Sequence, residues 1–207
     1  MFSHEYPPIG GGGGKVAQDL CRGFVAAGHE VMLISAHFAD LPLTADDQGV
    51  QVRRVRSWRS KAYQANMKAM SGFLIFGALA GLKAVRAWHP DIVHIHFAVP
   101  AGPIGWLLRK IKGIPYVITA HLGDVPGGVP EKTERWFRWV YPFTPTLWRN
   151  AAAVVAVSQF TRRLVLDHYD VPVRVIPNGI FLEEYSSDQI VVNDPPRIIF
   201  AGRFVTQ

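Results

Sequence analysis

Five consecutive glycines, Gly10 to Gly14, stand between an apolar opening segment and a lysine that begins a helical pattern. Backbone stripped of side chains lets a phosphate or a sugar come close. The free N–H groups of a helix starting near Lys15 would face such a ligand with the positive end of the helix dipole. Two familiar nucleotide templates fail position by position. A G-x-G-x-x-G beginning at Gly10 needs glycine where Lys15 stands, and a Walker A ending at Gly14-Lys15 needs glycine at Ile9 and Ser or Thr at Val16. What remains is the physical element that both share, set against a flexible surface turn as the alternative. Three more loops carry unusual residues: "HLGD" at 121–124, "SQFT" at 158–161 and "PNG" at 177–179. His94 and His96 alternate along one segment, so they share a face and reach chelating distance in principle, but no third ligand stands at sensible spacing and structural roles are expected.

These loops need elements to hold them. Short β-branched runs at 30–35, 50–55, 91–97, 115–120, 152–157 and 173–176 alternate with helical periodicity. That alternation predicts an α/β fold, a doubly wound, mostly parallel, Rossmann-like sheet with helices on both faces. Val16, Leu20 and Phe24 form one helical face that stops at Gly28, and Ile104, Leu107, Leu108 and Ile111 another that stops at Gly113. Every unusual loop follows a strand, and open parallel sheets bind ligands at the carboxyl ends of their strands. That edge is the expected site.

With 207 residues, 49% of them hydrophobic and 18% charged, the chain is expected to bury a substantial core. The lone cysteine, Cys21, excludes a disulfide framework and a Cys/His zinc cluster, and points to a reducing, cytoplasmic setting. The apolar run at 72–82 ends at Lys83, short of the ~20 residues of a spanning helix, and reads as a buried helix. A net charge of +6 suits an anionic partner without choosing among nucleotides, lipid headgroups and nucleic acid. Two basic, aromatic stretches, 53–68 and 135–149, suit a membrane interface, stacking on sugars or bases, or a solvated face over buried aromatics. In the first of them Arg53, Arg54, Arg56 and Arg59 are the expected lipid contacts, joined by the aromatic cluster around Trp136 and Trp139.

Residues 1–185 read as one domain and 186–196 as a linker. Residues 197–207, "RIIFAGRFVTQ", read as the first strand of a second domain.

"EYPPIGGGGGKVAQDLCRGFVAAGHEVMLIS" resembles the opening of the retaining GT-B glycosyltransferases of family 4. "HPDIVHIHF", "VSQFTRRLVLDHYDVPVRVIPNGI" and "IIFAGRFVTQ" agree with later motifs of that family. The resemblance implies the N-terminal, acceptor-binding half of a two-domain fold, facing a second domain that binds a nucleotide-diphosphate sugar. It implies transfer to a glycan or lipid-linked acceptor, no cofactor and no metal, and no turnover by these residues alone. It carries Gly11 and Gly12, with Gly13 as neighbour, into the loop that approaches the donor diphosphate, and Arg203 into pairing with donor phosphates. His121 matches a histidine placed near the transferring sugar, where it stabilises charge developing at the anomeric carbon. Asp124 matches the acidic residue after it, an acceptor for a sugar hydroxyl. The competing expectation is a non-catalytic Rossmann-like module that recognises a polyanion such as nucleic acid, although no helix-turn-helix, RRM or KH pattern is present.

Overall fold

The computed structural model describes residues 1–181 together with 195, 197 and 198. The expected linker and second-domain strand, Arg203 included, therefore lie almost wholly outside the described residues. Within them run α1 (Gly12–Ala26), β1 (Met32–Ala36), β2 (Thr44–Asp47), β3 (Val50–Val55) and α2 (Met67–Trp88). Next come β4 (Val93–His96), α3 (Ala98–Lys112), β5 (Tyr116–Ala120), α4 (Pro130–Val140) and α5 (Thr144–Arg149). The last are β6 (Ala153–Ala156), α6 (Gln159–His168) and β7 (Val173–Val175).

The strands pair in two sets, β2-β3-β1 and β4-β5-β6-β7, parallel throughout except for the β2–β3 hairpin. Residues 1–3 lie between the sets. Phe2 bridges Ile34 on one side and Ile95 on the other, both in parallel sense. Its N–H donates to the His94 carbonyl, its carbonyl accepts from the His96 N–H, and Ser3 and Met1 exchange bonds with Ile34. Three residues thus make the seven strands one continuous sheet.

The period of two along each strand divides the interior into two cores. Met32, Ile34, Ile95 and Ile118 face Phe73 of α2 and Ile104 and Leu108 of α3. Leu33, Val50 and Val52 face Ala17 and Cys21 of α1. Cys21 is fully buried, and burial pushes its thiol up to about 11, so it behaves as a small apolar side chain. β2 is tied to α1 by Asp47, whose carboxylate accepts from Arg22 at 2.6 Å, from Gln18 at 2.8 Å and from the Tyr6 hydroxyl.

Two expectations change here. The helix holding the 72–82 run is 22 residues long, because Lys83 and Arg86 point outward and do not end it. It has the length and composition to cross a membrane. It packs by a stripe of small residues, Ala69, Gly72, Gly77, Gly81 and Ala84, and leaves Ile75 and Leu79 49% and 59% exposed. On α1 the stripe that meets the sheet is Gly14, Ala17 and Cys21, so Val16, Leu20 and Phe24 do not form the core-facing side. Close approach of helix to sheet selects the small residues, and the larger ones turn away from the core.

A Cβ at Gly81 would lie 2.8 Å from the Phe2 ring, so the helix rests directly on the residue that joins the sheet. Phe2→Ala is expected to lower the unfolding free energy by about 3–5 kcal/mol, the usual range for emptying a buried phenylalanine site. The measurement is the urea midpoint at constant slope. A midpoint unchanged from the parent would mean that the ring adds nothing to the junction.

Candidate active site at the carboxyl edge of the sheet

The five glycines do five different things. Gly10 turns the chain at φ +93°, and a Cβ there would fall 2.4 Å from Glu5. Gly11 caps α1, and its N–H donates to Glu5 Oε2 at 3.0 Å. Gly12 opens the helix with nothing within 4 Å of a would-be Cβ. Gly13 sits against Phe97, whose ring a Cβ would meet at 2.3 Å, and Gly14 packs on the backbone of Glu5 and Tyr6. Of the three glycines expected at a diphosphate, Gly12 combines helix-terminal position with open space. The Gly11 amide is already engaged by a carboxylate that suits the positive end of the helix. The bareness of Gly13 is required by an aromatic ring.

That ring leads to His121. Phe97 follows β4 and holds φ +67°, a conformation that costs a residue with a Cβ about 1–3 kcal/mol. The strain aims its ring between Gly13 and the His121 imidazole, which it stacks at 4.5 Å and 26°. His4 meets the other edge of Phe97 at 4.6 Å. His121 follows β5 and caps the turn Leu122–Asp124, and its Nε2 lies 3.2 Å from Nδ1 of His96. His94, on the same face as His96 with ring centroids 4.7 Å apart, bonds Thr119 Oγ1 through Nε2 at 2.8 Å. Among the described residues no group of three His, Cys, Asp or Glu side chains is arranged to hold a metal ion.

Asp124 is not presented to a ligand. It is 1% exposed, one carboxylate oxygen accepts from the His121 N–H at 2.8 Å, and the other faces the Val99 N–H at 3.4 Å. The expected sugar-hydroxyl acceptor is instead a clamp between the turn Leu122–Asp124 and the start of α3. Burial pushes its carboxyl up to about 7, against the pull of the His121, Val99 and Ala98 amides and with the charge of Glu5 adding to the rise.

The histidines are held neutral. Burial pulls His121 down to about 4 and His94 to about 3, and takes His96 well below its ordinary value. His4 falls to about 3 through burial, the nearby Arg59 guanidinium and His121, so its 3.9 Å approach to Glu5 is not an ion pair. Arg59 is itself buried, donating to the carbonyls of His4, Lys61 and Ala62. The expectation that it meets lipid is overturned: it pins the 59–62 loop to the edge of the site.

On the α1 side of β4–β6, His94, Thr119 and Val155 floor a cavity of about 390 Å³. Its walls are Val16, Leu20 and Phe24 of α1 and the segment 176–181, which includes the "PNG" loop. The Val16, Leu20 and Phe24 face of α1 is this wall. Ser158 of "SQFT" caps α6, accepting from the Thr161 N–H at 3.0 Å, and has a structural part. Sequence reasoning did not single out Phe97, Glu5 or the contact of His96 with His121. Phe97 was within reach, since it follows a strand's carboxyl end just as "HLGD" does.

The buried histidines set an acid limit on stability. Unfolded, each protonates near 6.5; folded, each does so only near 3–4 or lower, so the stability present above 6.5 is lost as pH falls. Asp124 acts in the opposite sense, its contribution being present below 3.8 and lost as pH rises through about 7. Four groups outweigh one. The melting temperature is expected to rise steadily from pH 4.5 to 6.5, measured by circular dichroism at fixed ionic strength. A flat or falling profile over that interval would contradict neutral, buried rings.

The sequence profile of Glycosyltransferase Family 4 matches residues 10–184. The alpha-monoglucosyldiacylglycerol synthase of Acholeplasma laidlawii is 24% identical over 92% of this chain and 49% of its own length. The 2-deoxystreptamine N-acetyl-D-glucosaminyltransferase of Streptomyces fradiae is 30% identical over 56% of this chain and 29% of its own. Among solved structures, sucrose-phosphate synthase from Thermosynechococcus elongatus superposes with a TM-score of 0.70 at 18% identity, over 88% of this chain and 48% of that one. The chain thus spans about half the length or less of these proteins. A profile match across most of the chain, on a parallel sheet shared with these transferases, makes it a member of Glycosyltransferase Family 4 with the N-terminal domain of that fold.

Proposed function

We propose that this chain is the acceptor-side domain of a retaining transferase that moves a sugar from a nucleotide-diphosphate donor to a glycan or lipid-linked acceptor. Family membership supports glycosyl transfer. The observation that carries the finer reading is the line from Gly12 through Gly13 and Phe97 to His121, which links the open start of α1 to a stacked imidazole at the strand ends. A diphosphate approaching Gly12 meets bare backbone at the positive end of a 15-residue helix. The sugar then lies toward His121. As the anomeric C–O bond breaks, the electron pair leaves with the nucleoside diphosphate, the acceptor oxygen bonds on the same face, and the proton of the acceptor hydroxyl passes to the departing phosphate oxygen. His121 supplies a neutral hydrogen-bonding group beside the developing charge. The resemblance that implies this reaction implies no metal in it.

The test is full-length kinetics. Gly12→Val is expected to lower kcat/KM more than tenfold with an unchanged melting temperature, because space around it is free in the fold and needed by the donor. Gly13→Ala should lower the melting temperature, since its Cβ would meet the Phe97 ring at 2.3 Å and displace it from its stack on His121. The product of an α-linked donor should be α-linked by NMR. A β-linked product, or a fully active Gly12→Val, would overturn the reading.

The acceptor side of this reading includes peripheral attachment to the cytoplasmic membrane face. The name of the Acholeplasma relative describes synthesis of a glucosylated diacylglycerol. On this chain, α2 contains no acidic residue and exposes Ile75 and Leu79, with Lys68 before them and Lys83 and Arg86 after. Trp58, 41% exposed and edge-on to Phe76 of α2, continues the apolar surface, and Tyr63, Trp139 and Phe143 are 63%, 80% and 73% exposed. Each basic side chain near an anionic surface contributes about 1 kcal/mol. Replacing Lys68, Lys83 and Arg86 by Gln should weaken sedimentation with phosphatidylglycerol vesicles about a hundredfold and leave phosphatidylcholine controls unchanged. Undiminished binding would return α2 to an ordinary solvated helix.

A further inference from the structure

The basic, aromatic stretch 53–68 carries one ring that neither the core nor α2 uses. β3 runs parallel to β1, so the loop that follows Val55 leaves the sheet at the same edge as the glycine run, and it is fastened there along its length. Ser57 is buried, its Oγ donates to the His37 carbonyl at 3.0 Å, and its backbone lies so close to α2 that a Cβ on Gly72 would meet it at 2.8 Å. Arg59 donates to the carbonyls of His4, Lys61 and Ala62. Lys61 and Gln64 pair as an antiparallel bridge that closes a tight turn, and the Ala62 carbonyl at its tip accepts from the Gly10 N–H at 2.7 Å. The turn is thereby docked on the glycine run. Tyr63, the other residue of the tip, is 63% exposed and forms no hydrogen bond or ring contact among the described residues. A backbone pinned in this way removes the ordering cost of a mobile loop, and a tyrosine leaves only two side-chain torsions to fix on binding.

The neighbours of the ring choose its ligand. Lys61 and Gln64 are exposed on either side of it, and no other large apolar residue is exposed between 59 and 66. An acyl chain needs a continuous apolar strip, and Trp58, turned edge-on to Phe76, belongs to the surface of α2. A single aromatic face flanked by an ammonium and an amide matches a pyranose. The C–H face of such a sugar carries slight positive charge that meets the negative face of the phenol ring, and its rim of hydroxyls takes hydrogen bonds. We propose that Tyr63 is a specificity-determining residue on which the sugar ring of the acceptor stacks, with Lys61 and Gln64 bonding its hydroxyls. The inference rests on the transferase reading above and narrows it: the acceptor presents a pyranose, in a glycan or on a lipid. Gly12 follows Gly10 by two residues, so the turn that carries Tyr63 stands beside the place proposed for the donor diphosphate.

The experiment is saturation-transfer difference NMR of the 207-residue chain with the methyl glycosides of glucose, galactose, mannose and N-acetylglucosamine. At least one of them is expected to receive saturation at its ring C–H protons. Tyr63→Ala and Tyr63→Leu should each weaken its binding about tenfold, while Tyr63→Phe and Tyr63→Trp keep it, all at the melting temperature of the parent. Leucine retains the apolar bulk and loses the aromatic face, which separates stacking from plain burial. Octyl β-D-glucopyranoside below its micelle concentration distinguishes the two sources of the sugar. Binding no tighter than that of the methyl glucoside supports a glycan acceptor, and tighter binding that is still lost in Tyr63→Ala supports a lipid-linked one. Saturation of none of the glycosides, or equal saturation in Tyr63→Ala, overturns the proposal. So does saturation of the base protons of uridine diphosphate that vanishes in Tyr63→Ala, which would make the ring a donor contact. Absence of transferase activity in the full-length enzyme would remove the proposed function while leaving the binding result to stand or fall by itself.

Discussion

The fold depends on a parallel pairing three residues long. Four backbone hydrogen bonds from Met1, Phe2 and Ser3 join β1 to β4 and merge a three-stranded and a four-stranded sheet. A central position normally belongs to a long apolar strand, yet here the apolar contribution is one ring, Phe2, wedged under α2 at Gly81. The same pairing sets the site. The chain leaves the sheet at Ser3, so His4 and Glu5 are delivered to the carboxyl edge, one against Phe97 and the other against the cap of α1. The glycine run can then turn tightly, because Glu5 neutralises the first free amide of the helix before any ligand arrives.

Much of this was legible in the sequence. Six strands, their parallel order and the shared edge of their loops follow from β-branched runs separated by helical periods, since period and turn chemistry are local properties. β2 escaped notice because "TADD" is short and acidic and pairs on one side only; its signals are the Gly49 turn and the Asp46 side chain that accepts from it. Which stripe of α1 meets the sheet was not legible. Val16, Leu20 and Phe24 satisfy the hydrophobic period as well as Gly14, Ala17 and Cys21 do, and the choice between them is made by how closely two elements approach. Asp124 illustrates a different gap. An acidic residue next to a candidate histidine reads equally as a substrate ligand or a backbone clamp until its burial is known.

The site is electrostatically quiet for a chain of net charge +6. Its histidines are neutral, its arginine is spent on three carbonyls and its aspartate faces backbone amides. Under the proposed function, the positive character offered to an anionic donor is that of the oriented peptides of α1. Fixed dipoles of this kind require no counterion and no reorganisation as charge develops, which suits a reaction whose leaving group is an anion. Basic side chains stand elsewhere, Lys83 and Arg86 on the outward side of α2 and Arg109, Lys110 and Lys112 in the last turn of α3.

Phe97 ties Gly13 and His121 into one unit, and the unit has an evolutionary consequence. A side chain at position 13 forces the ring at 97 to shift, and loss of the ring removes the stacking partner of the imidazole at 121. A change at any one of the three positions therefore disturbs the packing of its neighbour in the unit. Paired substitutions relieve that disturbance at once, so this corner of the domain is expected to change in coupled steps more than the aliphatic positions of the strands that support it.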